Sequence, residues 1–195
     1  RQKKSPATKI LAFKDTFAGR TTALQELTDN AKYREGQPTY GEVHYLPFYD
    51  MRSKVSAAEQ AKAVLVIMKE ELARHPGKFA CLEFEPVQGE GGFNAAPREF
   101  LLPIIEEAKK YGLMIWVDEI QTFGRTGEVF CYQRLGLDEH VDVVTAASPK
   151  VTEARNETTL HGRWDGDSTR GRIGYGYSTE NDTHAHLWSL SASTD

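Results

Sequence analysis

Asp118 follows Val117 directly, at the carboxyl end of the apolar run Leu113–Val117, with Glu119 beside it. Glu85 stands in the same way after the run Phe79–Phe84, one strand–helix–strand unit earlier. In open parallel sheets, ligands bind in the crevice outside the carboxyl ends of the strands. Two carboxylates there can form a metal pair, an acid/base pair or a receptor for a cationic ligand. Metal is disfavoured, because neither acid has a histidine near it in sequence and the nearby Gln121 is a poor ligand for transition metals. The plain alternative for Asp118 is a helix cap or a partner for Arg125. The Gly-rich stretch Gln88–Gly92 precedes a helix start, where a phosphate could sit, but it has neither GxGxxG nor the Walker A pattern.

These groups need a sheet to position them. Lys9–Phe13 is a short apolar run expected as a buried strand, and residues 30–41, polar with Gly and Pro, are expected as loop. His44–Phe48 is expected as an edge strand, because Pro47 cannot donate to a ladder. Ala61, Val64, Leu65, Met68 and Leu72 recur at three- and four-residue steps, which predicts a helix over 57–75 stopped by Pro76 and Gly77. Phe79–Phe84 is a strand, Pro97 opens a helix to about Tyr111 and Gly112 ends it. Leu113–Val117 is apolar throughout, as in a central parallel strand covered on both faces. A short helix near 130–135 and a strand over 141–146 follow. Strand and helix in alternation define an α/β fold with a mostly parallel sheet flanked by helices.

The domain expected from this pattern is residues 1–150. Residues 151–195 are rich in Thr, Ser, Gly, Asp and His and show no sustained period. They are expected to be a poorly ordered polar tail or a segment not native to the fold. The whole chain has 195 residues, 39% hydrophobic and 27% charged, with a net charge of −4. That balance gives no basic face for nucleic acid or an anionic membrane, and no apolar run reaches the roughly 20 residues that span a bilayer. Cys81 and Cys131 lack a CxxC spacing and suit reduced thiols in a cytoplasmic protein. The opening Arg1-Gln2-Lys3-Lys4 has no initiator Met and no signal peptide character, and reads as the middle of a longer sequence.

Three stretches carry a resemblance. Phe17-Ala18-Gly19-Arg20-Thr21 resembles the Phe-x-Gly-Arg-Thr element of class III, pyridoxal-phosphate-dependent aminotransferases. Glu85-Pro86-Val87-Gln88-Gly89-Glu90-Gly91-Gly92 is similar to their Glu-Pro-x-Gln-x-Glu-x-Gly segment. Val117-Asp118-Glu119-Ile120-Gln121-Thr122-Phe123-Gly124-Arg125-Thr126-Gly127 resembles their third signature. The resemblance covers about residues 5–147 and implies part of a fold type I large domain binding pyridoxal 5'-phosphate. It implies that Asp118 pairs with the pyridine nitrogen, keeping it protonated so that the ring accepts electrons. Gln121 would contact the ring hydroxyl side and Phe17 would stack on a ring face, with Glu85 in the cofactor-binding set. Arg20 would take the substrate carboxylate through its fork of donors, and Glu90 would be the acid that swings to admit different substrates. The implied partners are an amino donor, a 2-oxo acid acceptor and, in the full-length parent, a second copy of the chain. Residues 93–96 and 135–137 tilt the donor toward 4-aminobutyrate within a 4-aminobutyrate/ornithine type.

The sequence also departs from the family. The lysine that forms the Schiff base stands six residues after the aspartate of an Asp-Val-Val-Thr strand, and counting from Asp142 that position is Ser148. A serine hydroxyl cannot do this chemistry. Lys150 lies two residues further on, behind Pro149, which restricts the backbone. The chain is therefore expected to be a catalytically incomplete piece of a transaminase. A non-catalytic remnant that binds cofactor or dimerises, and a decarboxylase or aminomutase of the same fold type, are the alternatives. Asp182, His184 and His186 in the tail have metal-ligand types, but a solvated polar tail is the favoured reading and no metal site is expected.

Overall fold

The computed structural model describes residues 7–146 and three strands at 160–166, 169–176 and 187–193. They belong to two compact units, Arg1–Pro149 and Lys150–Asp195.

In the first unit, β1 (Lys9–Phe13), β2 (Val43–Leu46), β3 (Phe79–Phe84), β6 (Met114–Asp118) and β7 (Val143–Thr145) form one sheet in the order β2-β1-β3-β6-β7. Every pairing in it is parallel. Parallel neighbours need crossovers, and the two long ones are helices: α2 (Ala57–Arg74) between β2 and β3, and α3 (Arg98–Lys110) between β3 and β6. Two residues each of β4 (Val87–Gln88) and β5 (Asn94–Ala95) close a small antiparallel ribbon after β3. A one-turn α4 (Cys131–Arg134) and a 3-10 turn (Asp138–His140) lead into β7.

The periodic stripe of α2 is the buried one: Ala61, Val64, Met68 and Leu72 are covered, and Leu65 packs at the margin. Ser56 starts this helix with a capping box, its hydroxyl accepting from the Glu59 N–H while the Glu59 carboxylate accepts from the Ser56 N–H. From α3, Phe100, Leu101, Ile104, Ile105 and Ala108 join that core. The sheet meets both helices with alternate residues: Leu11 and Phe13, Leu82 and Phe84, Ile115 and Val117. Each fully buried Leu, Ile or Phe contributes about 1.5–3 kcal/mol, so this helix-covered face carries most of the stability.

The opposite face is thinner. Ala12, Ala18 and Leu27 are buried there, with Ile10, Leu24, Val43, Tyr45 and Trp116 partly covered against them. β6 is therefore an interior strand whose two faces differ, rather than one covered equally on both. Met114 and Trp116 are half-buried, and the Trp116 indole N–H finds the Thr145 hydroxyl at 2.7 Å. A second difference lies in 30–41, where α1 (Ala31–Arg34) forms one helical turn capped by the Asn30 side chain on the Lys32 N–H. One turn is too short to leave a hydrophobic period.

In the second unit, β8 (Leu160–Gly166), β9 (Thr169–Gly176) and β10 (Leu187–Ser193) form an antiparallel sheet in the order β10-β9-β8. In sequence, glycines interrupt the alternation of apolar residues in the first two strands, and this hides the period of two.

Candidate functional site

The chain leaves β1 for β2 on one side and returns to β3 on the other, so the order of strands reverses between β1 and β3. Crevices at such points are where open α/β sheets take ligands. The loop after β1 carries Thr16 and Phe17, and Glu85 follows β3. The Glu85 carboxylate spans the crevice: Oε1 accepts from the Phe17 N–H at 2.9 Å and from the Thr16 hydroxyl at 3.1 Å, while Oε2 accepts from the Gly89 N–H at 3.3 Å. Burial pushes its pKa up to about 7, against the pull of the two backbone donors. Glu85 thus fixes two loops to each other.

One step past the Phe84–Val117 pair, Asp118 lies level with Glu85 at the end of β6. It is 4% exposed. Its Oδ1 accepts from the Ile120 N–H at 3.0 Å, and burial, less that hydrogen bond, pushes the carboxyl up to about 6. Arg125 does not pair with it, donating instead to the Gln121 carbonyl at 3.4 Å. Gln121 is exposed and its side chain lies against Gly89, where an added Cβ would come within 2.8 Å of it. A side chain at that point would displace the flexible end of Gln121.

Glu83 sits on the same sheet face two residues before Glu85, fully buried, with no hydrogen-bond partner on either oxygen among the described residues. Burial, reinforced by the charges of Asp118 and Glu85, pushes it well above the ordinary carboxylate range. Glu119 is also buried but satisfied, by the Thr122 hydroxyl and by the Tyr132 N–H at 2.9 Å. Its work is to hold the turn after β6 to α4. Glu83, Glu85 and Asp118 together form a crowd of acids with no cation paired to any of them among the described residues.

A second group gathers beside the β1 loop. Phe17 and Tyr33 meet edge to face with ring centroids 5.5 Å apart. The Arg20 guanidinium lies over Tyr33 at 4.8 Å and over Phe17 at 5.9 Å. The Tyr33 hydroxyl donates to Glu90 Oε2 at 3.3 Å. Phe17, Tyr33 and Glu90 share a cleft with Asp15, Thr16 and Asp29. Asp15 holds a φ of 62°, a left-handed conformation uncommon outside glycine. The structure therefore brings Phe17, Arg20 and Glu90 into one place, seats Gln121 against Gly89 and puts Asp118 at the neighbouring strand end, while Glu85 ties Phe17 to Gly89. Tyr33 is the member the motifs do not mark, and its contacts with Phe17, Arg20 and Glu90 depend on α1. Ser148 and Lys150, like Asp182, His184 and His186, lie outside the described residues.

A parallel sheet whose acidic groups cluster at the strand ends defines a class, and the comparisons narrow it. The Aminotransferase class-III family model matches residues 1–153. The chain belongs to the class-III aminotransferase family. It is 36% identical over 131 residues to the [LysW]-aminoadipate semialdehyde/glutamate semialdehyde transaminase of Sulfurisphaera tokodaii, covering 66% of this chain and 29% of that protein. Acetylornithine aminotransferase of Bacillus subtilis is 35% identical over 148 residues, 75% of this chain and 34% of that one. The chain thus spans about a third of the length of the curated relatives it matches. Among solved structures, the (S)-enantioselective omega-transaminase from Thermomicrobium roseum aligns with a TM-score of 0.64 at 28% identity, covering 72% of this chain and 32% of that one. Lysine aminotransferase from M. tuberculosis in the internal aldimine form aligns with a TM-score of 0.65 at 25% identity, covering 72% and 33%. The fold is that of the fold type I transaminases.

Proposed function

We propose that residues 1–150 hold the ring end of a pyridoxal 5'-phosphate site in a transaminase that moves an amino group from an ω-amino acid to a 2-oxo acid. The observation that carries this is the buried Asp118 carboxylate, crowded by Glu83 and Glu85 with no cation among the described residues. A carboxyl raised by burial regains its charge beside a cation, and a protonated pyridine nitrogen is a flat monocation suited to a strand-end crevice. The donor set fits the group: Asp118 for the ring nitrogen, Gln121 on its Gly89 support for the ring hydroxyl, and the Phe17 ring as an apolar face. When bound, the cofactor supplies an electron sink for the substrate carbon that loses a proton.

Asp118 keeps the proton on the ring nitrogen. Glu85 acts through Phe17 and Gly89, whose N–H groups it accepts, and is a positioning residue. Arg20, in no ion pair among the described residues, offers its fork to the substrate carboxylate, with Tyr33 and Glu90 lining the approach. By count the position that bonds the cofactor is Ser148, which has no amine, and Lys150 is the nearest lysine to it in sequence. We therefore read this chain as one that binds cofactor without turning it over. Residues 151–195 take no part, in keeping with a family match that stops at 153. The same proposal includes a homodimer in the full-length protein and a reducing, cytoplasmic setting, which the free Cys81 and Cys131 suit. Among the described residues no helix is long and apolar enough to cross a membrane.

Pyridoxamine 5'-phosphate needs no lysine bond, so calorimetric titration of the chain with it tests the ring site directly. Saturable binding is expected, weakened at least about tenfold by Asp118→Asn, which is about 1.4 kcal/mol. Equal binding by Asp118→Asn, or none by the original chain, defeats the proposal. Borohydride treatment with pyridoxal phosphate, followed by peptide mapping, checks the second part, with no label expected on Lys150.

A further inference from the structure

Away from the strand ends that carry Asp118, three side chains from two elements converge at the amino end of the sheet. α2 carries Glu71 near its last turn and His75 at its C-cap, four residues apart and so on one face. β2, the edge strand, carries His44, in register with Leu11 of β1. One ligand atom from each of His44, Glu71 and His75 lies within 4.8 Å of the other two. His44 Nδ1 and Glu71 Oε2 are 2.8 Å apart, and the His44 and His75 rings meet at 4.8 Å between centroids. Phe79 packs edge-on against both imidazoles, at 5.1 and 6.0 Å, and supplies an apolar wall.

We propose that His44, Glu71 and His75 form a zinc site that clips the end of α2 to the edge strand β2. Two imidazoles and one carboxylate suit a borderline divalent ion such as Zn²⁺ better than Mg²⁺ or Ca²⁺, which prefer all-oxygen shells. Around tetrahedral zinc with ligands at about 2.0–2.1 Å, ligand atoms stand roughly 3.3–3.5 Å apart. The spacing here brackets that range, so small side-chain adjustments bring the three atoms into place. The Glu71 carboxylate is already orientated, since Oε1 takes the Arg74 guanidinium at 2.5 Å and leaves Oε2 facing His44. Such partners behind a ligand fix its direction. The carbonyl end of an 18-residue helix adds partial negative charge at the same place. His44 and Glu71 are each about one-fifth exposed, which leaves a path for the ion and room for a water as fourth ligand.

A clip here also serves the sheet. Among the described residues β2 lies at the edge of its sheet, the feature through which sheets pair with other chains. The site is independent of the cofactor proposal, because none of its ligands belongs to that one.

The test is titration of the chelator-stripped 195-residue chain with zinc sulfate, read by calorimetry and by thermal melting. One zinc per chain and a raised melting temperature are expected, with affinity falling at least about tenfold in His44→Gln and in His75→Ala. His184→Ala combined with His186→Ala controls for the tail histidines and is expected to bind as the original does. Visible absorption of the Co²⁺-loaded chain, perturbed by His44→Gln, checks imidazole ligation without relying on stability. No zinc uptake, uptake unchanged in His44→Gln and His75→Ala, or uptake lost with His184 and His186, overturns the site.

Discussion

Asp118→Asn should make the cofactor-free chain more stable while making it bind pyridoxamine phosphate less well. The substitution keeps the shape and an oxygen that accepts from the Ile120 N–H, and removes the charge. In the folded chain the Asp118 pKa is raised from an ordinary 3.8 to about 6. A raised carboxyl means that the folded state holds its proton more tightly than the unfolded one. Its cost is therefore absent below the unfolded value and grows as pH rises through the folded one. A little over two pH decades, at about 1.4 kcal/mol each, sets an upper figure of about 3 kcal/mol. Relaxation and water penetration reduce this, so a gain of about 1–3 kcal/mol is expected for Asp118→Asn near pH 8, shrinking toward zero near pH 4. Urea unfolding followed by circular dichroism, on both proteins across that range, reads the difference directly. The difference matters more than either curve, because Glu71 and Glu107, with carboxyls held below their ordinary range, push the absolute stability the other way. An Asp118→Asn protein that is less stable at every pH, or a difference that does not change with pH, would refute the account of a desolvated, uncompensated acid.

Glu83→Met replaces a buried carboxyl that has no hydrogen-bond partner among the described residues, and should stabilise the chain by about 1–3 kcal/mol at neutral pH in the same denaturation assay. Gly89→Ala places a methyl 2.8 Å from the flexible end of Gln121. Pyridoxamine phosphate affinity should fall several-fold in calorimetry, while the melting temperature stays within about a degree or two. Ser56→Ala removes the capping box of α2 and should cost about 0.5–2 kcal/mol, measured by chemical denaturation.

Much of the frame was legible because its signals are local. The stripe Ala61, Val64, Met68 and Leu72 gave α2 by period, and Pro97 with Gly112 bracketed α3. Strand ends placed Asp118 and Glu85 level with each other, as the register of β3 and β6 bears out. What escaped depends on contacts between distant segments. Glu83 carries no mark in the sequence, because nothing in its neighbours reveals that its side of the strand is covered. Glu85 resembled Asp118 in sequence, yet its oxygens are spent on Phe17, Thr16 and Gly89, which only the pairing of β1 with β3 brings near. Tyr33 escaped because its place rests on a one-turn helix, and His44 because its partners arrive from α2.

The bond from the Phe17 N–H to Glu85 joins groups 68 residues apart. Closing a loop of that length costs entropy that the docking of β3 beside β1 must offset. Until β3 slots beside β1, the Glu85 carboxylate stays hydrated and the Phe17 ring has no fixed bearing. No shorter excerpt of the chain that omits either strand can preassemble the aromatic shelf, so retention of a flat aromatic ligand doubles as a gauge of whether the sheet has closed.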